Sequence, residues 1–181
     1  PLVSQLCHPC LRTITELSSI SNIQNMVCCK SCFSLKIPGT WIEFSDLESS
    51  VSHFIEESIS WNQDATKIKS NLELKQLDPQ KFRAQISCEG DYQGVNLVSE
   101  LKTEVQIKFQ VCQTCSRQAG GYYEAILQIR TKRKELLDTA VDMVYSEIDS
   151  SSSDFFTTEA GAVRGGYDFQ LSSTEKARSV S

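Results

Sequence analysis

The chain has 181 residues, 40% of them hydrophobic, and a formal net charge of −5. This length and composition suit one or two small domains with folded cores, and no segment approaches the roughly 18 uninterrupted apolar residues of a membrane helix. The acidic balance argues against nonspecific nucleic-acid binding, which depends on a basic surface, but it is compatible with a local basic patch.

The first residues of the sequence do not resemble a secretory signal. Residues 1–6 (PLVSQL) have neither a basic start nor a long apolar run, so we expect an intracellular protein. The first residue is Pro1 rather than methionine, which indicates a fragment whose start lies upstream.

Two cysteine pairs mark the first 45 residues. Cys7/Cys10 and Cys29/Cys32 stand among few large apolar side chains, so a bound metal is expected to do much of the folding work there. Residues 46–59 are predicted to form a helix, because apolar residues recur at helical spacing. These residues are Leu47, Val51, Phe54, Ile55 and Ile59.

Residues 68–111 change to period two, which predicts half-buried antiparallel strands. Apolar side chains alternate with polar ones over residues 82–88 and again over residues 104–111. Asp78-Pro79-Gln80 marks a turn between two strands, and Glu89-Gly90-Asp91 is predicted to begin the next loop. Cys88 falls on the apolar face of its strand, which indicates a buried structural thiol.

The last third of the chain predicts the order β-α-β-β-α. A strand follows Tyr122, a helix carries the apolar stripe from Leu136 to Ile148, and two strands meet around Gly165-Gly166. Residues 172–175 (SSTE) have the spacing of a capping box, with Ser172 as the N-cap and Glu175 closing it, and open the last helix. A unit of this kind normally closes with another strand, so the predicted ferredoxin-like unit is truncated.

These elements together predict an α+β fold with three parts. Residues 1–45 form a zinc-knuckle region, residues 46–117 a helix with antiparallel strands, and residues 118–181 the β-α-β-β-α domain.

Six of the eight cysteines fall in Cys-x-x-Cys pairs: Cys7/Cys10, Cys29/Cys32 and Cys112/Cys115. This spacing lets two thiolates converge on one tetrahedral ion from a tight turn, so all six are candidate structural zinc ligands. A redox role needs a low-pKa thiol at a helix start, whereas Cys112/Cys115 is predicted to lead into a glycine turn and a strand. The sequence offers no catalytic motif and only two histidines, so we expect no enzyme activity.

Spacing leaves two ways of grouping the pairs. Cys10 and Cys29 are separated by a span typical of one zinc ribbon, which favours a local site of Cys7, Cys10, Cys29 and Cys32. The alternative joins Cys29/Cys32 to Cys112/Cys115 and leaves Cys7/Cys10 to ligands upstream of Pro1. Closing the longer loop adds little cost, since each doubling of loop length costs only about 0.6 kcal/mol.

Three groups of motifs resemble one family, the large-ribosomal-subunit nuclear export adaptors. The family carries the historical name "nonsense-mediated decay protein three", and the chain resembles its archaeal members most. The run GGYYEAILQIR is the specific part, and the resemblance covers essentially the whole chain. The motifs are CHPCLR at 7–12, CKSC at 29–32, PGTWI at 38–42, CQTCSR at 112–117, GGYYEAILQIR at 120–130, GGYDF at 165–169 and KAR at 176–178.

The resemblance implies how the cysteines are grouped. The family has four Cys-x-x-Cys pairs, and this chain carries the second, third and fourth, the first lying upstream of Pro1. By that pattern Cys29/Cys32 shares one structural Zn²⁺ with Cys112/Cys115. The first pair lies in the zinc-knuckle region, and the second pair ends the region of residues 46–117. Cys7/Cys10 belongs to a second zinc site completed upstream.

The resemblance also implies a function without a reaction. Family members dock on the joining face of the large ribosomal subunit in late biogenesis, and eukaryotic members bridge it to an exportin through C-terminal signals that this sequence lacks. We expect a monomer without membrane contact. An archaeal protein would be located in the cytoplasm, and a eukaryotic one in the nucleus and cytoplasm. The alternative is a zinc-stabilised protein–protein adaptor without RNA contact.

Seven residues are candidates for contact with ribosomal RNA. Basic side chains suit phosphates and aromatic rings suit stacking on bases. The phosphate candidates are Arg117, Arg130, Lys132, Arg133 and Lys134, and the stacking candidates are Tyr122 and Trp41.

Overall fold

The computed structural model describes residues 2–3 and 6–180, so Pro1 and Ser181, the outer limits of the predicted domains, lie outside it. The chain forms two compact units, the first ending at Val111 and the second beginning at Cys112. Helices and mixed sheets together confirm the α+β class. Among the described residues, every helix is too short or too polar to cross a membrane. The domain limits at 45/46 and 117/118 stay predictions.

The first unit is built on a six-stranded sheet in the order β6-β5-β4-β10-β9-β8. Its strands are β1 Leu2–Val3, β2 Leu6–Cys7, β3 Ser18–Ser19, β4 Ile23–Cys29, β5 Leu35–Ile37, β6 Thr40–Ile42, β7 Ser60–Trp61, β8 Ala65–Asp78, β9 Lys81–Tyr92 and β10 Val95–Gln110, and its helices are α1 His8–Ile14 and α2 Leu47–Ser58.

Most neighbouring strands of this sheet are antiparallel, as the alternation of apolar residues predicts. The pair β4 and β10 is parallel, with Ile23 opposite Glu104 and Cys29 opposite Gln110. The prediction of antiparallel pairing missed this pair, because β4 belongs to the cysteine-rich start of the chain. Parallel pairing brings the carboxyl ends of both strands to the same edge of the sheet.

One face of the sheet packs against α2 and forms the core. Phe82, Ala84 and Ile86 alternate inward along β9, and α2 buries Val51 and Ile55 among them. The helix begins where predicted, because the Asp46 carboxylate accepts a hydrogen bond of 2.7 Å from the Ser49 amide.

The long hairpins confirm one predicted turn and correct another. The Asp78 carboxylate accepts a hydrogen bond from the Gln80 amide at 2.8 Å, which fixes the turn between β8 and β9. The predicted loop at Glu89-Gly90-Asp91 is wrong, because these residues pair with Val98, Leu97 and Asn96 inside the sheet. The turn lies at Gln93-Gly94, where both residues have positive φ, as in a two-residue hairpin loop of type I′.

The second unit confirms the order β-α-β-β-α, preceded by one short helix that the sequence did not predict. Its sheet order is β11-β13-β12, which matches three strands of a ferredoxin-like fold. Phe169 and Leu171 of the central strand are completely buried against Val144 and Ala177. The elements are α3 Gln113–Ala119, β11 Ala125–Arg130, α4 Lys134–Ser150, β12 Thr157–Val163, β13 Gly166–Leu171 and α5 Thr174–Val180.

Two neighbouring glycines make the turn into β13 possible. Gly165 has φ +81°, a conformation that other residues adopt only with strain. Gly166 pairs with Arg130 of β11, and a Cβ at Gly166 would lie 1.8 Å from the carbonyl oxygen of Ile129. The first glycine is therefore needed for its dihedral angle and the second for space.

The predicted capping box at the start of α5 is displaced by one residue. Ser173, not Ser172, caps the helix, since its hydroxyl accepts a hydrogen bond from the Lys176 amide at 3.3 Å. The Ser172 hydroxyl instead accepts from the Phe156 amide at 2.9 Å and donates to the Asp154 carbonyl at 2.8 Å. Ser172 is 6% exposed. Its side chain therefore makes a tertiary contact with Asp154 and Phe156 instead of the helix cap that local spacing predicts.

Candidate metal centre

Four cysteines meet where β4 and β10 end together. Cys29 is the last residue of β4 and lies opposite Gln110, two residues before Cys112. The Sγ atoms of Cys29, Cys32, Cys112 and Cys115 all lie within 4.8 Å of one another. Parallel pairing therefore brings together two pairs that are far apart in the sequence.

A tight turn positions the first pair. The Cys29 amide donates to the Ser34 carbonyl at 2.8 Å, and the Phe33 amide donates to the Cys29 carbonyl at 3.0 Å. Phe33 has φ +59°, which reverses the chain after Cys32. The buried Ser50 hydroxyl of α2 donates a hydrogen bond to the Phe33 carbonyl and fixes this strained residue. Sequence reasoning missed Ser50, because nothing local links a helical serine to a turn 17 residues earlier.

A short helix positions the second pair. Cys112 is the N-cap of α3, and its sulfur accepts a hydrogen bond from the Cys115 amide at 3.4 Å. The expectation that this pair leads directly into a glycine turn and a strand is wrong, so the lack of a helix start no longer argues against a redox role. Helix α3 buries no residue, so it has no apolar periodicity by which the sequence could have revealed it.

The donor set fits a structural metal ion. In a tetrahedral zinc site with four thiolates, bonds of about 2.3 Å place the sulfur atoms about 3.8 Å apart, so the cluster needs only a small contraction. Cys29 and Cys112 are 0% and 4% exposed, and the other two are half-buried. A set of four cysteines with no histidine or carboxylate is typical of closed structural sites rather than of catalytic ones.

Cys7 and Cys10 lie outside this cluster. Their sulfur atoms are 3.1 Å apart at the start of α1, and both residues are exposed. The structure thus groups Cys29/Cys32 with Cys112/Cys115, as the resemblance implies, and does not form the local ribbon that spacing favours. The two remaining thiols belong to the core: Cys88 is 1% exposed, as predicted, and burial raises the pKa of Cys28 to about 11.

Two predicted RNA-contact residues of the second unit lie against each other. The Arg117 guanidinium lies 4.9 Å from the centre of the Tyr122 ring, and the Tyr122 hydroxyl donates to Glu124 at 2.6 Å. These contacts hold the segment between α3 and β11. Arg117 is exposed, so its guanidinium remains accessible to solvent above the ring.

A carboxylate neutralises the next candidate. Arg130 forms an ion pair with Asp168 on the neighbouring strand β13 and also donates to the Tyr167 carbonyl at 3.3 Å. The ion pair holds the pKa of Asp168 below its usual value, chiefly through the hydrogen bond from Arg130. Arg130 therefore has a structural partner in the chain itself.

The remaining basic candidates precede and begin α4. Lys132, Arg133 and Lys134 are all exposed, and their side chains form no ion pair among the described residues. Positive charge is unfavourable at a helix N-terminus, where the helix dipole is already positive. These three residues thus create a cationic surface at some cost to the helix.

Trp41 lies in the first unit, on the short hairpin of β5 and β6. It is half-buried and faces Lys36, whose ammonium lies 5.8 Å from the ring centre. The seven candidates are therefore distributed over both units.

The comparisons with known proteins agree with this architecture. The family model for NMD3, N-terminal domain, matches residues 1–120, and the model for NMD3, second domain, matches residues 122–181. The chain belongs to the NMD3 family. A search of curated proteins gave no significant match.

Membership confirms the resemblance on which the sequence analysis relied and suggests a ribosome-related adaptor role. All four clustered cysteines fall inside the match to the N-terminal domain.

Proposed function

We propose that this chain is a zinc-stabilised adaptor that binds the large ribosomal subunit during late biogenesis by docking on its joining face. The observation that carries the proposal is the match of both NMD3 domain models, which together cover nearly the whole chain. An archaeal member would act in the cytoplasm, and a eukaryotic member in the nucleus and cytoplasm.

In this proposal one Zn²⁺ is held by Cys29, Cys32, Cys112 and Cys115 and fixes the loops that follow β4 and β10. Cys7 and Cys10 are exposed and close together, which supports a second site that needs ligands from another segment. The first site has no role in a reaction, because four thiolates leave no open position on the metal.

Contact with ribosomal RNA would use the accessible cations of the second unit. Lys132, Arg133 and Lys134 have no carboxylate partner among the described residues and can reach phosphates, and Arg117 is exposed beside Tyr122. The net charge of −5 opposes nonspecific attraction, so binding would depend on these local patches and on shape.

Co-sedimentation with purified large ribosomal subunits tests the proposal. The zinc-loaded chain should pellet with large subunits at low salt and be released as salt rises, because phosphate contacts release counterions. Small subunits at the same concentration serve as the control. Absence of the chain from the large-subunit pellet at low salt would contradict the proposal.

A second candidate is an adaptor that contacts ribosomal or other proteins but no RNA. The acidic net charge and the ion pair of Arg130 with Asp168 favour it. Substituting Lys132, Arg133 and Lys134 with glutamine distinguishes the two, since RNA contact predicts weaker and less salt-sensitive co-sedimentation. Unchanged binding would favour the protein–protein adaptor.

A further inference from the structure

The six-stranded sheet of the first unit has one face packed on the core and one face open, here called the outer face. Along each strand, residues of the outer face alternate with core residues. Residues that pair across neighbouring strands lie on the same face, so the strand registers identify the members of the outer face. Arg83 of β9, for example, lies between Lys75 of β8 and Glu104 of β10 and is exposed.

Charge is unevenly distributed over the outer face. The half near the carboxyl end of β10 is here called the basic half. The strand registers place five cations and two carboxylates, Glu104 and Asp78, on it. The opposite half carries Lys69 and Lys102 against Glu73, Glu89, Asp91 and Glu100. The cations of the basic half are Lys36, Lys75, Lys81, Arg83 and Lys108.

Only part of this positive charge is balanced within the chain. Glu104 binds Lys81 at 3.0 Å and Arg83 at 2.8 Å, and Asp78 accepts the turn amide of Gln80. Lys75 and Lys108 are exposed and form no ion pair with any described residue. A cationic excess thus lies on a protein whose net charge is negative.

The basic half also offers an aromatic ring. Trp41 pairs with Lys36, and the Lys36 ammonium donates to the Gln110 amide oxygen at 3.3 Å, which places both residues beside the end of β10. Gln106 and Asn25 lie opposite each other on β10 and β4, Gln106 two residues before Lys108, and both are exposed. Amide groups and an aromatic ring among lysines suit bases and riboses as well as phosphates.

We propose that the basic half of the outer face binds the sugar–phosphate backbone of structured RNA, with Trp41 stacking on an unpaired base. Charge complementarity selects a polyanion, and the aromatic ring and amide side chains select RNA over an acidic protein, since open sheets with aromatic residues are a common single-strand RNA platform. This inference rests on the proposed function and assigns it a second contact surface, on the other unit from Lys132, Arg133 and Lys134.

The test uses the full chain and a hairpin RNA with a duplex stem and a single-stranded loop, with binding followed by anisotropy over a range of salt. Lys75→Glu with Lys108→Glu should weaken binding about tenfold and lower the salt slope by about two, one for each lost phosphate contact. Lys69→Glu with Lys102→Glu is the matched control, because it changes the same strands, the same face and the same net charge.

Several outcomes would overturn the inference. Equal losses in both double variants would show an effect of net charge alone, and no loss in either would show that the outer face is not used. A third outcome is that polyglutamate binds the wild-type chain as tightly as the hairpin does and fails to bind the Lys75/Lys108 variant. That result would assign the basic half to an acidic protein. Circular dichroism confirms that each variant is folded.

Stacking has its own readout. The chain has two tryptophans, so Trp61→Phe leaves Trp41 as the single tryptophan, which can be excited selectively at wavelengths where tyrosine does not absorb. The hairpin RNA should quench its emission, and the Lys75/Lys108 variant should require more RNA for the same quenching. Unchanged emission at saturating RNA would refute the stacking role of Trp41.

Large subunits separate this inference from the proposed function. If the Lys75/Lys108 variant co-sediments with large subunits as well as the wild-type chain, this inference is wrong and the function stands. If the wild-type chain binds the hairpin through the basic half but does not co-sediment with large subunits, the proposed function is wrong and the surface stands.

Discussion

Arg130 illustrates how a charged side chain suggested by sequence can already be engaged in the fold. Four basic residues lie between positions 130 and 134, and sequence gives no reason to separate them. The structure separates Arg130 from the others, because its partner Asp168 lies opposite Gln128 on the adjacent strand. The three that follow are exposed without such a partner.

This ion pair makes a prediction about protonation. Arg130→Met should raise the pKa of Asp168 toward its ordinary value near 3.8, because the hydrogen bond that stabilises the carboxylate is lost. In the wild-type chain, the stabilising effect of Asp168 is present above the unfolded pKa and is lost as pH falls through the lower folded pKa. A pH titration of the side-chain carboxyl resonances by NMR measures both proteins.

Asp154 is the internal control for that titration. Its pKa is lowered by hydrogen bonds from Ser152 and Lys176, neither of which involves Arg130. The Asp154 resonance should therefore titrate identically in both proteins. An Asp168 titration that the substitution leaves unchanged would contradict the ion pair.

At the scale of elements, the pairing of β11 with β13 depends on the absence of a side chain at one position. Gly166→Ala would place a methyl group 1.8 Å from the Ile129 carbonyl oxygen, so β11 and β13 must separate. Such overpacking typically costs about 1–3 kcal/mol or more, and we expect the second unit to lose at least about 2 kcal/mol of stability.

Gly161→Ala is the matched control, since Gly161 lies in the same sheet and a Cβ there meets nothing within 4 Å. Its effect should stay within about 0.5 kcal/mol. Urea unfolding of the three proteins, followed by hydrogen exchange of the β13 amides, measures the difference. Equal stability of the two alanine variants would refute the close approach.

Sequence predicted those elements whose residues repeat with a clear period. Alternation identified β9 and β10, and the apolar stripe identified α2 and α4. Helix α3 escaped because its seven residues are almost entirely polar and none is buried. The parallel neighbour of β10 escaped for another reason: β4 pairs with a strand far along the chain, and alternation within a strand does not say which strand lies beside it.

At the scale of the whole molecule, the candidate metal centre depends on segments from both ends of the match to the N-terminal domain. Replacing Cys112 and Cys115 with serine should remove one zinc per chain and leave the Cys29/Cys32 turn less protected from hydrogen exchange. The physical reason is that two thiolates alone do not complete a tetrahedral site. Metal analysis and amide exchange measure the two effects.

Cys88→Ala provides the control, because this thiol is buried in the sheet away from the cluster. It should lower stability without changing metal content. Unchanged zinc content in the Cys112/Cys115 variant would contradict the grouping of the four thiols and would favour the local ribbon with Cys7/Cys10.

The parallel pairing of β4 with β10 also determines when the metal centre can form during synthesis of the chain. Cys29 and Cys32 are made first, and at about 5–20 residues per second the roughly 80 residues up to Cys115 take about 4–16 s more. During that interval Cys29 and Cys32 lack the partners of the final centre, and they stand at zinc-ribbon spacing from Cys7 and Cys10. An ion that Cys29 and Cys32 bind in that interval must therefore change ligands before the final centre forms, once β10 has joined the sheet.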